Sequence, residues 1–278
     1  MNGARANNGF TLVELLCAIF VLGLLASLVL AGLGRARFQA DKAVSMQNIR
    51  QLVTANQLYA AERGHFAPWG NVRNDIRWHS ARTSGEFDAQ GGYLSPYLGN
   101  DERVRRCPVF EKWNTDPEGS SFDKGAGGYG YNSTYIGGRP GDLGRSIPRG
   151  ASRGSYQPWF AKGNLVTRVD NPSNVVMFAS SAIAKGGGLV ETDQAVPYRS
   201  LTPGGLGQKL TPTVHFRFRG KAVVAWADGH VSLEPPNEDV ANGWSVYGED
   251  NDEYKLGWFG PTEWNGYWNP RFEDEVAH

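Results

Sequence analysis

The sequence predicts an α+β chain in which a long N-terminal helix, half transmembrane and half amphipathic, packs on a small antiparallel sheet with long loops. Three observations predict it. Residues 15–33 contain no charged side chain, and about 20 apolar residues are what a helix needs to cross a bilayer. The stretch from 35 to 63 has no proline and repeats apolar residues at helical spacing. Residues 64–278 then change character, with glycine, proline, tryptophan and tyrosine separating short apolar runs. That mixture predicts one soluble domain of short strands and long loops, large enough for a modest core.

The first element is GFTLVELLCAIFVLGLLASLVLAGL, residues 9–33, with one acid, Glu14. A carboxylate at the centre of a membrane helix costs roughly 2.5–3.5 kcal/mol, and less near an end. A secretory signal would show a basic leader and a core of roughly 7–15 apolar residues. The leader MNGARANNG carries only Arg5 and the apolar core is longer, although its Ala-Ser and Ala-Gly pairs mimic a cleavage site. An ordinary single-pass anchor explains the length, but neither the Gly-Phe-Thr-Leu-Val-Glu string nor the early acid. Glu14 also admits a plain reading, as a polar residue at the headgroup level.

Gly9-Phe10-Thr11-Leu12-Val13-Glu14-Leu15 resembles the processing and assembly signal of type IV pilins and type II secretion pseudopilins. The resemblance implies cleavage by prepilin peptidase between Gly9 and Phe10, removal of leader residues 1–9, and N-methylation of the new terminus. It places Glu14 at the family's assembly-glutamate position. It implies a single-pass protein of the inner (cytoplasmic) membrane with its C-terminal domain periplasmic or extracytoplasmic. Its partners would be other pilin or pseudopilin subunits, an inner-membrane assembly platform and membrane lipid. A helix alone in lipid leaves the Glu14 carboxylate needing a partner, and the Phe10 amine of a neighbouring subunit would supply a cation. The basic residues point the other way. Arg35, Arg37 and Lys42 follow the apolar stretch and only Arg5 precedes it, which by charge count puts the C-terminal flank in the cytoplasm. The cleavage motif is the more specific signal.

Residues 10–34 are the expected transmembrane segment and 35–63 its amphipathic continuation. Ile49, Leu52, Val53, Tyr59 and Ala60 share one helical face, and Gly64 followed by Pro68 supplies a stop. Gly23, Gly32 and Gly34 loosen the helix locally, at about 1 kcal/mol each relative to alanine.

In the soluble domain, 64–278, the best-formed local element is KAVVAWADGHVSL at 221–233. Strand formers flank Asp228-Gly229, the strongest short-range hairpin signal, and the turn is expected to use positive φ angles. Asn171-Pro172-Ser173 leads into Val175-Val176-Met177-Phe178-Ala179, and the two segments are expected to pair in one sheet against the helix. Together with Arg106-Cys107-Pro108 and Tyr129-Gly130-Tyr131-Asn132, this region resembles a pilin-like subgroup whose C-terminal part carries a histidine, nine residues, then Asp-Gly. The departure is at the histidine. Phe218 stands ten positions before Asp228, and the nearest upstream histidine is His215.

The remaining candidates each have a bland reading. Asp228 and His230 with His215 are competent metal or catalytic groups, but aspartate before a turn glycine is favoured by the turn alone. Glu249, Asp250, Asp252 and Glu253 offer hard oxygen ligands to a possible calcium ion; a solvated acidic loop accounts for them equally, and no other cofactor is expected. Trp244, Tyr247, Tyr254, Trp258, Phe259, Trp264, Tyr267 and Trp268 form either core or a sugar- or partner-binding surface. Cys17 and Cys107 are too far apart in kind to pair. Cys107 is expected as a free thiol or packing residue, with an intermolecular bridge as the alternative. With 28 basic and 28 acidic residues no nucleic-acid partner is expected, and no nucleophile motif marks an enzyme. The expected role is a structural filament subunit, a type II secretion pseudopilin. The alternatives are a type IV pilin of a surface fibre for adhesion, motility or uptake, and a membrane-anchored binding domain.

Overall fold

The computed structural model describes residues 11–71, 73–83, 86–99, 102–116, 124–139, 161–201 and 207–271. The chain divides into two units, Met1–Asp41 and Lys42–His278. Helix α1, Leu12–Arg63, contributes to both.

In the first unit the helix is exposed along residues 12–27, with Leu12, Phe20 and Leu24 all open. By length and composition α1 is able to cross a membrane. In the second unit the same helix is amphipathic. Ser45, Asn48, Ile49, Leu52, Val53, Asn56, Tyr59 and Ala60 are buried, while Arg50, Thr54, Leu58 and Glu62 face out. That is the spacing of one helical face. Gly64 ends the helix at φ 75°, and its N–H reaches the Ala60 carbonyl at 2.8 Å. A left-handed glycine of this kind satisfies an otherwise unpaired terminal carbonyl.

The remaining elements, in chain order, are β1 (Ala81–Thr83), β2 (Glu86–Asp88), α2 (Ser95–Leu98), α3 (Pro108–Glu111) and β3 (Tyr129–Tyr131). Then come β4 (Val176–Ser180), β5 (Ile183–Lys185), β6 (Gly188–Val190), β7 (Val214–His215), β8 (Ala222–Trp226), β9 (Val231–Glu234) and β10 (Leu256–Gly257). The main sheet is antiparallel in the order β3-β4-β8-β9, and β1-β2, β5-β6 and β7-β10 form two-stranded pairs. Strands β4 and β8 are buried at every residue, so they read as continuous apolar runs rather than alternating ones. This is the expected α+β architecture, and the 171–179 and 221–233 segments do pair.

Polar contacts join the helix to the sheet and loops. Asn56 Nδ2 donates to Tyr131 Oη at 2.9 Å, and that hydroxyl donates onward to the Ala67 carbonyl at 2.8 Å. Tyr129 Oη donates to the Ser45 carbonyl at 3.0 Å, and Gln57 Nε2 to the Ala227 carbonyl at 2.9 Å. Behind Tyr131, Phe178 stacks at 4.8 Å and Trp78 meets Phe178 at 5.2 Å. Buried polar groups are tolerated because they are bonded.

Candidate functional site

The helix begins on a reciprocal cap. Thr11 N–H and Thr11 Oγ both donate to Glu14 Oε2, at 2.9 and 2.8 Å, and Glu14 N–H donates back to Thr11 Oγ at 3.2 Å. Leu15 N–H takes the Thr11 carbonyl at 3.2 Å, which makes Thr11 the N-cap. Thr-x-x-Glu is a capping box, two orphan donors satisfied by each other's side chains. This corrects the expectation that Glu14 is without a partner in a lone chain: one carboxylate oxygen is engaged locally. The spacing from Thr11 to Glu14 was a signal available in the sequence. Gly9 and Phe10 lie outside the described residues.

A family model of the prokaryotic N-terminal methylation motif matches residues 4–30, which include the Gly9–Phe10 peptide and the capped start of the apolar helix. This segment is the type IV pilin and pseudopilin signal. The pilin signal implies processing by prepilin peptidase and assembly with other pilins. The proteins that carry it are structural rather than enzymatic, and the apolar helix behind it is compatible with membrane anchoring. No curated protein and no solved structure matches the chain.

The four other motifs that resemble a pilin subgroup are knitted together by backbone hydrogen bonds and by the Asn132 side chain. Cys107 N–H donates to the Gly127 carbonyl at 2.9 Å, joining Arg-Cys-Pro to the start of β3. Gly127 is held at φ 60°, and a Cβ there would stand 1.7 Å from the Arg105 carbonyl oxygen, so only glycine fits. Asn132 Nδ2 donates to the Val176 and Trp268 carbonyls at 2.8 and 3.1 Å, tying the end of β3 to β4 and to the C-terminal segment. Ala227 N–H meets the Val175 carbonyl at 2.8 Å, and Asp228 N–H meets the Pro172 carbonyl at 3.1 Å. The hairpin turn therefore rests on the Asn-Pro-Ser segment. These motifs build the fold.

The hairpin is present, with Ala222 opposite Glu234 and Ala225 opposite Val231. One detail is corrected. Gly229 has φ 100° while Asp228 is not in the left-handed region, so a single glycine closes the turn. Gly229 N–H bonds the Trp226 carbonyl at 3.0 Å, and Trp226 N–H bonds the His230 carbonyl at 3.0 Å, so the loop has three residues, a turn followed by one left-handed residue, rather than two. Asp228 Oδ1 accepts from His230 N–H at 3.0 Å and lies 2.7 Å from His230 Nδ1. The imidazole stacks on Trp226 at 5.3 Å. His215 has a different setting: it is buried in β7, with Nδ1 3.0 Å from Arg217 Nη1 and its ring against Phe110 and Trp113. Phe218 is buried beside Arg217.

The acidic loop is engaged in turn bonds. Glu249 Oε1 accepts Gly187 N–H at 2.9 Å, Asp250 Oδ1 accepts Asp252 N–H at 3.0 Å, and Asp252 Oδ1 accepts Asn242 Nδ2 at 2.6 Å; Glu253 is exposed. Among the described residues no three His, Cys, Asp or Glu side chains converge as a metal site. Both cysteines are free, and buried Cys107 Sγ lies 3.3 Å from Ser45 Oγ. The aromatic tail splits. Trp258, Phe259 and Trp268 are core, whereas Trp244, Tyr247 and Trp264 are exposed.

One charged cluster was not legible in the sequence. Arg77 Nη1 pairs with Asp193 Oδ2 at 2.8 Å, and His79 Nε2 lies 3.4 Å from the same oxygen, with all three residues buried. Burial alone would raise the Asp193 carboxyl, but Arg77 and His79 outweigh it and hold it below the usual range. Burial lowers His79 against the pull of Asp193, and Ser80 Oγ lies 2.9 Å from its Nδ1. Trp78 Nε1 donates to the Asp193 carbonyl at 2.9 Å. The cluster cross-links residues more than 110 apart in sequence, and that is its structural use.

Proposed function

We propose that the chain is a structural subunit of a pilin-like filament, a pseudopilin of a type II secretion apparatus, cleaved between Gly9 and Phe10 in the inner membrane. The observation that carries this reading is the pilin signal joined to an apolar helical segment whose side chains are open from residue 12 to 27. Lipid and neighbouring helices are the environments that bury such a surface. The capping box occupies Glu14 Oε2. The second oxygen is then the acceptor offered to the methylated Phe10 amine of the next subunit.

Three measurements test it. The intact mass of the membrane-extracted protein should lack residues 1–9 and carry one added methyl; a full-length chain overturns the processing step. Glu14→Gln keeps the cap acceptor and removes the charge, whereas Glu14→Val removes both. Filament assembly should fail in both variants while membrane insertion persists, and normal assembly of Glu14→Gln would reduce Glu14 to a helix cap. Shearing separates the two filament types. Chain found mainly in sheared surface fibres rather than membranes would replace the pseudopilin with a surface pilin.

A further inference from the structure

The globular unit has an open cleft of about 1030 Å³ lined by Trp264, Arg168, Arg199, Arg271, Asn164 and Glu263 among others. Ligand sites are concave and carry a few convergent polar groups. Trp264, Asn265 and Gly266 run through three consecutive positive φ values, 47°, 67° and 46°. For a bulky residue such as tryptophan this is a genuine outlier, with a cost of order 1–3 kcal/mol per residue, and such strain clusters at binding sites.

The turn is fastened from below. Asn265 is buried, its Nδ2 donating to Tyr135 Oη at 2.8 Å and to the Arg199 carbonyl at 3.1 Å, while its Oδ1 accepts Arg199 N–H at 2.7 Å. Asn269 Nδ2 donates to the Trp264 carbonyl at 3.1 Å. All of this presents an indole that is 56% exposed, while the nearby Trp258 and Trp268 are buried at 1% and 2%. Burying an aromatic of that size would be worth about 1.5–3 kcal/mol or more, so holding it out is a departure from what stability alone favours.

Among the described residues that line the cleft, three are arginines and one, Glu263, is acidic. Among the described residues no acidic side chain forms an ion pair with Arg168, Arg199 or Arg271. Arg199 is steadied by the Gly207 carbonyl at 2.8 Å and the Tyr198 ring at 5.1 Å. Guanidinium forks match carboxylates and sulfates in two-pronged geometry. The exposed indole offers a flat apolar face to the C–H face of a pyranose. A cleft of this volume accommodates a short oligosaccharide. The balance of 28 basic and 28 acidic residues gives none of the broad positive field that a nucleic-acid strand requires.

We propose that this cleft binds an acidic saccharide, with Trp264 stacking on a sugar ring and Arg168, Arg199 and Arg271 receiving its anionic substituents. The site acts equally in a secretion fibre and in a surface fibre, so it stands or falls apart from the filament assignment.

The test is calorimetric titration of the full chain in detergent with oligogalacturonate, sulfated dextran fragments, neutral dextran fragments of equal length and a thymidine oligonucleotide. Binding of a carboxylated or sulfated saccharide, at least tenfold tighter than neutral dextran, is expected. Whichever acidic probe binds identifies the substituent. Trp264→Ala and Arg271→Gln should each weaken it at least tenfold, Arg271→Gln should also flatten the salt dependence, and Lys221→Gln, elsewhere on the surface, should change nothing. Unfolding midpoints of the variants establish that they are folded, and Arg271→Gln serves if Trp264→Ala is not. The proposal is overturned if neither acidic probe binds, if neutral dextran binds as well, if the oligonucleotide binds best, or if folded variants bind like the parent.

Discussion

Residues 12–27 and 45–60 belong to one helix, yet they invert each other's relation to solvent. The first stretch exposes leucine, valine, isoleucine and phenylalanine. The second buries not only Ile49, Leu52 and Val53 but also Ser45, Asn48 and Asn56. Apolar side chains with no tertiary partner seek another phase or another subunit, and the amount buried, not its detailed shape, sets the gain. Buried amides and hydroxyls act differently, because each must meet a partner in place. Asn48 Nδ2 meets the Arg103 and Arg106 carbonyls, each at 2.9 Å, and Asn56 Oδ1 takes Ala67 N–H at 2.8 Å. One half of the helix is built for association and the other for a single register.

The largest expected effect comes from the globular side. Asp193→Asn leaves Arg77 buried without its counter-charge and should cost about 3–5 kcal/mol, seen as an early midpoint in urea unfolding followed by tryptophan fluorescence. A midpoint near the parent's would mean the cluster is hydrated and incidental. Leu52→Ala should cost about 2–5 kcal/mol by cavity formation. Leu24→Ala, on the exposed half, should stay within about 0.5 kcal/mol in the same assay. Equal effects would erase the contrast between the halves.

Acid should act on the globular unit through its buried histidines. Burial lowers the affinity of His79 and His215 for protons, and Arg217 and Lys255 add to the effect at His215. The unfolded chain therefore protonates first as pH falls. The contribution of these histidines is complete above pH 6.5, the ordinary histidine value, and is lost below it at about 1.4 kcal/mol per pH unit for each. His215→Gln should flatten the loss of stability just below pH 6.5, and an unchanged slope would remove His215 from the account. Two glycines repeat the contrast between the halves. Gly229→Ala, at φ 100°, should cost about 1–2 kcal/mol. Gly23→Ala, with nothing within 4 Å of the added carbon, should leave the midpoint where it was.

Local patterns were legible because their cause is local. An apolar run, a helical repeat at 49, 52, 53, 59 and 60, a stop at Gly64 and an Asp-Gly hairpin each follow from nearby residues. Thr11–Glu14 is equally local, since Thr-x-x-Glu is itself a cap signal. Arg77, His79 and Asp193 carried no such signal, since a buried ion cluster is assembled from segments far apart along the chain. The aromatic tail was legible as a choice between core and surface but not as a division between them.

By itself, then, the sequence determined a membrane-length helix with a processing signal at its start, because length, polarity and a short motif are properties of contiguous residues. Only the tertiary structure decided that the hairpin and Asn-Pro-Ser motifs brace one another, and that Trp264 stands out beside Arg168, Arg199 and Arg271. Those outcomes depend on which distant groups arrive together, and spacing along the chain does not record that.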